Sequence, residues 1–114
     1  MANLLGNMPI QIDTDLANFR TAYAATGLAA GDNVSGIRPF KIVLQAITTT
    51  TAGNVTITNP NDSTNLFPPM AVPASATTGT ILFYDAPAAL LTWPNFAVTG
   101  VTATGTRLWI WFRN

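Results

Sequence analysis

At 114 residues the chain is sized for one domain, and only 9% of it is charged, against about 25% in an ordinary soluble domain. Five Asp, four Arg and one Lys sum to zero net charge, which offers nothing to attract nucleic acid or an anionic membrane. Cys, His and Glu are absent, which excludes disulfides, thiolate or imidazole metal sites and Ser-His-Asp catalysis.

Residues 1–12, MANLLGNMPIQI, lack the basic and long apolar regions of a signal peptide. The expectation is a chain made in a cytoplasm without an export address. The charge-free stretches further on carry Pro or several Thr and Gly, which a membrane-spanning helix tolerates poorly. The segment reads as an extended arm or a first strand, with Met8, Ile10 and Ile12 on one face. Asp13-Thr14-Asp15 supplies a helix start. Leu16, Phe19 and Tyr23 then recur at helical spacing and Gly27 closes, predicting a helix over about 15–25. Residues 27–37 are punctuated by Gly and read as a loop.

From Arg38 onward the pattern is β. Phe40, Ile42, Leu44 and Ala46 alternate with Lys41, Val43, Gln45 and Ile47, the first set facing the core. Val55 and Ile57 point inward from a second strand, with Asn54, Thr56 and Thr58 outward. Asn59-Pro60-Asn61-Asp62-Ser63 is a turn. A strand over Leu66–Val72 contains Pro68-Pro69, so it belongs at a sheet edge or in a bulged ribbon. Thr77-Thr78-Gly79 turns the chain into a strand at Ile81–Tyr84, ended by Asp85. Ala88–Leu91 reads as a helical turn or loop.

In the last segment Phe96 and Val98 alternate and Gly100 interrupts. Val101 and Ala103 resume as across a bulge, and Thr104-Gly105-Thr106 reads as a hairpin turn. Leu108, Ile110 and Phe112 form one face of the final strand, and Arg107, Trp109, Trp111 and Arg113 the other.

Seven or eight short strands with regular turn signals predict an all-β fold. It is an antiparallel β-sandwich, jelly-roll or immunoglobulin-like, preceded by an N-terminal arm and one short helix. The division is 1–37 for arm, helix and loop and 38–114 for the body, within a single domain.

The final strand carries the sharpest functional signal. Arg and Trp are the residues most enriched in binding hot spots, and Arg can stack on indole. Three readings of Trp109 and Trp111 stay open: cover by a neighbouring loop, a subunit or partner interface, or a platform for sugars. Trp93 and Tyr84 are further rings for such a platform. The interface candidates are Trp109, Trp111, Arg107, Arg113, Trp93, Met8 and Ile10.

Asp13 and Asp15 could share a hard cation, but no third carboxylate is near in sequence, and helix capping is the reading adopted. Asp32 and Asp85 read as loop caps. No phosphate loop, dinucleotide fingerprint or nucleophile elbow occurs. No enzyme activity, cofactor or metal is expected.

The charge scarcity has a place. Asp13, Asp15, Arg20 and Asp32 lie in the first third, and Arg38 and Lys41 open the first main strand. Only Asp62, Asp85, Arg107 and Arg113 remain for the rest. An uncharged, hydroxyl-rich surface without net charge suits a protein docked in an assembly.

The apolar N-terminal segment, the Thr/Ala/Asn-rich β body and the closing stretch from Trp93-Pro94 to Trp111 together resemble small bacteriophage capsid decoration, or cement, proteins. That resemblance implies a structural protein on the capsid exterior of a virion. It further implies a homotrimer that binds the major capsid protein and stabilises the shell. The alternative is a glycan-binding module of a phage fibre or host-recognition protein.

Overall fold

The computed structural model describes residues 9–22, 38–86 and 92–112. The strands in these segments are β1 (Pro9–Ile12), β2 (Pro39–Ala46), β3 (Gly53–Thr58), β4 (Asn65–Val72), β5 (Ile81–Asp85), β6 (Ala97–Thr99) and β7 (Thr106–Phe112). Two single helical turns join them, α1 (Phe19–Ala22) and α2 (Val101–Thr104). All strand pairs are antiparallel. They form a four-stranded sheet in the order β1-β7-β2-β5 and a three-stranded sheet in the order β4-β3-β6. The molecule is an all-β sandwich, as the strand spacing predicts.

Period-two alternation builds the layers, because successive side chains of a strand point to opposite faces. In β7 every second residue from Thr106 to Phe112 is buried. Ile10, Ile12, Ile42, Leu44, Leu108 and Ile110 of the larger sheet meet Val55, Ile57, Phe67, Met70, Val72 and Val98 of the smaller. Each such side chain contributes about 1.5–3 kcal/mol when fully removed from water. One end of the core is aromatic. The rings of Phe19 and Phe96 stack at 4.5 Å between centroids, and Trp93 meets Phe96 edge-on at 5.2 Å.

The pairing decides between the two expected strand orders. In an immunoglobulin-like sandwich the seventh strand lies beside the sixth. Here β7 lies between β1 and β2. A jelly roll is an antiparallel eight-strand ribbon wrapped on itself, which pairs first with eighth, second with seventh, third with sixth and fourth with fifth. The chain shows β1·β7, β2·β5 and β3·β4. The remaining pair is reduced to one bridge, in which Leu16 stands opposite Val98 of β6. With Leu16 as a one-residue second strand, the order is that of a jelly roll.

Several expectations are corrected. Residues 9–12 are not a free arm: β1 pairs with β7, and Ile10 and Ile12 lie in the core. The sandwich body therefore begins before residue 38. The helix does not start at Asp13-Thr14-Asp15. Asn18 caps it instead, its side-chain oxygen accepting the Thr21 N–H at 3.0 Å. Residues 101–104 are a helical turn, not a bulged strand, and 104–106 is no hairpin, because β6 and β7 belong to different sheets. Gly100 and Gly105, with φ of 94° and 73°, bound that turn in the left-handed region. A Cβ on Gly100 would also run into the Asn54 carbonyl. The prolines of β4 do what they predict, since β4 is an edge strand with register shifts against β3. The expected loop at 27–37, the helix beyond Ala22 and the turn at 88–91 lie outside the described residues.

Candidate functional site

The outer face of the four-stranded sheet is built on β7. Its buried set faces the core, so Arg107, Trp109 and Trp111 face outward, each half-buried. Register places their neighbours. Trp111 stands between Pro9 of β1 and Lys41 of β2. Trp109 stands between Gln11 and Val43, and Val43 in turn pairs with Tyr84 of β5. Arg107 pairs with Gln45, which pairs with Ile81. Three rows of side chains result, running across the sheet.

Polar atoms fix the rings. The Trp109 indole N–H donates to the Gln45 side-chain oxygen at 3.2 Å, and the Gln45 amide donates onward to the Gly79 carbonyl at 3.3 Å. Lys41 lies with its ammonium 4.5 Å from the Trp111 ring centroid and 5.5 Å from that of Tyr84. The Arg107 guanidinium lies 5.5 Å from the Trp109 ring. Cations within about 6 Å of a ring face are attracted by its quadrupole. Arg107 also forms a two-pronged pair with the Asp13 carboxylate, whose second contact is 3.2 Å. The hydrogen bond to Asp13 holds the guanidinium pKa above its ordinary value.

Of the sequence candidates, Trp109, Trp111 and Arg107 are brought together here. Tyr84 joins them and is 60% exposed. Trp93 does not: it is 2% exposed and belongs to the core. Ile10 is also buried, on the inner face of β1. Their side chains are therefore part of the packing rather than of this surface. Met8 and Arg113 lie outside the described residues. The sequence reading missed Lys41 as the cation of Trp111, along with Ile81, Gln45 and Gln11. The only available signal was the outward alternation of Lys41, Val43 and Gln45, and register supplies the rest.

Three carboxylates, Asp13, Asp15 and Asp62, have partners among the described residues. Asp13 pairs with Arg107. Asp15 accepts the Thr102 N–H at 3.1 Å, and its own N–H donates to the Thr102 hydroxyl at 3.0 Å. Neither caps α1. Asp62 accepts from both the backbone and the hydroxyl of Thr64, which holds its pKa below the ordinary aspartate value. Among the described residues no three metal-ligating side chains converge. The buried hydroxyls are also engaged. Thr50 donates to the Pro73 carbonyl at 2.6 Å, and Thr104 donates to the Gly100 carbonyl at 2.6 Å and meets Thr106 at 3.0 Å.

No family model, curated protein or solved structure matches the chain.

Proposed function

We propose that this chain is a structural virion protein that docks on the outside of a phage capsid, with the outer face of the four-stranded sheet as its contact surface. The observation that carries the reading is the convergence of Trp109, Trp111 and Tyr84 with Lys41 and Arg107 on one sheet face. Aromatic rings and Arg on a pre-organised surface are the composition of binding hot spots. The jelly-roll order fits this reading and the glycan reading below alike, since viral capsid and lectin domains both use that architecture. The low charge supports it as well, because such contacts release few counterions.

The rings also support a second reading, a glycan platform, since Tyr84, Trp109 and Trp111 share a face. Lys41 and Arg107 favour the capsid reading over it. They lie against the rings on which a sugar would stack.

Co-sedimentation of the purified chain with capsids lacking it tests the proposal. Binding is expected to persist at about 1 M NaCl, where screening acts over about 3 Å. No binding, together with a tryptophan fluorescence shift on adding sugars, would favour the glycan platform.

A further inference from the structure

The aromatic face divides into two halves of different chemistry. In one half the polar groups are answered within the fold. Arg107 is paired with Asp13, and the Trp109 indole N–H donates to Gln45, which donates onward to Gly79.

The other half is Lys41, Trp111 and Tyr84. The Lys41 ammonium lies against ring faces, 4.5 Å from the Trp111 centroid and 5.5 Å from that of Tyr84. Among the described residues it has no ion-pair partner. Neither the Trp111 indole N–H nor the Tyr84 hydroxyl has a hydrogen-bond partner among them. Lys41 is thus a positive charge without a counter-charge, flanked by unanswered polar tips.

The chain has few acids to supply that counter-charge. Of its five Asp, Asp13 serves Arg107, Asp15 serves the Thr102 N–H and Asp62 serves Thr64. Asp85 stands opposite Ile42, whose side chain is fully buried in the core, so it sits on the other face of the sheet from Lys41. Asp32 is the one acid outside the described residues.

We infer that the docked partner is a protein that supplies an acidic side chain, its carboxylate seated on the Lys41 ammonium beside the Trp111 and Tyr84 rings. This names the partner chemistry of the docking reading above and rests on it. The rings displace water from the ammonium, and a charge-assisted hydrogen bond is stronger where water is excluded. A carboxylate has acceptor sites enough for the ammonium and a flanking donor. A protein carboxylate is favoured over an acidic sugar, because Lys41 and Arg107 occupy ring faces on which a sugar would stack. A single such pair leaves the salt dependence shallow, in keeping with binding that persists at about 1 M NaCl.

Co-sedimentation of the full chain with capsids lacking it provides the test. Lys41→Met keeps the apolar stem and removes the charge. It is expected to weaken binding by about tenfold to a hundredfold while keeping its thermal transition. Capsids amidated at their carboxylates with a carbodiimide and glycinamide, and intact by electron microscopy, are expected to weaken binding of the unaltered chain similarly. Amidation is expected to change binding of Lys41→Met little. Capsid binding that either change leaves unmoved overturns the inference and leaves the docking reading standing. No capsid binding at all overturns both. A tryptophan fluorescence shift with polygalacturonate, in place of capsid binding, assigns the site to an acidic sugar and overturns the protein partner. Asp32→Asn that tightens capsid binding shows the ammonium already occupied within the chain, which also overturns the inference. If Lys41→Met does not fold, the amidated capsids decide, and unchanged binding of the unaltered chain overturns it.

Discussion

Leu16 and Val98 exchange two backbone hydrogen bonds, Leu16 N–H to the Val98 carbonyl at 2.9 Å and Val98 N–H to the Leu16 carbonyl at 2.8 Å. That single reciprocal pair is the second strand of the jelly roll reduced to one residue. It ties the segment after β1 to the edge of the smaller sheet. Leu16→Pro removes one donor and leaves the carbonyl of fully buried Val98 unpaired. A loss of about 1–3 kcal/mol is expected, read by urea denaturation. Leu16→Val keeps both bonds and is expected to cost less.

The three tryptophans separate by burial. Trp93 packs against Phe96 in the core, so Trp93→Ala is expected to cost about 3–5 kcal/mol. Trp109 and Trp111 are half-buried on the outer face. Their alanine variants are expected to cost about 1–2 kcal/mol each. Thermal melts of the three variants give the ranking.

Gly100 and Gly79 share the same φ of 94° but not the same surroundings. Nothing lies within 4 Å of a Cβ on Gly79, whereas one on Gly100 meets the backbone of Asn54 and Val55. Gly79→Ala is expected to cost only the left-handed penalty of about 1–2 kcal/mol. Gly100→Ala is expected to cost clearly more, because backbone of β3 must move. Paired denaturation curves check the difference.

Asp62 gives the turn before β4 a pH dependence. Its folded pKa is held below the ordinary value by the backbone and hydroxyl of Thr64. A depressed carboxylate pKa stabilises the fold above the unfolded pKa, about 3.9. That contribution is lost as pH falls through the folded value. Asp62→Asn is expected to reduce the stability lost between neutral pH and the acid range, measured by melts across pH. An unchanged acid profile would show that the turn does not report this group.

Local patterns carried much of the fold. The outward and inward sets of β3 and β7 follow from period-two alternation, and those of β2 do so from Lys41 onward; Phe40, expected in the core, sits at the register shift between Pro39 and Lys41 and is only half-buried. Pro68-Pro69 marks β4 as an edge. Where the reading failed, distant partners had decided the outcome. Asp13 and Asp15 look like helix caps, yet their partners are Arg107 and Thr102, 94 and 87 residues away. Val101 and Thr104 have strand propensity, yet two left-handed glycines close a helical turn around them. The candidate site was legible as a row, Arg107, Trp109 and Trp111. Its width was not, because Lys41 and Tyr84 reach those rings only through the β7-β2-β5 register.

If the outer face is a contact surface rather than packing alone, removing its two indoles costs binding before it costs the fold. The most direct measurement is co-sedimentation of the Trp109→Ala/Trp111→Ala double variant with capsids, beside its thermal melt. The variant is expected to remain folded at the assay temperature and to lose capsid binding. A folded double variant that binds as tightly as the unaltered chain would contradict it.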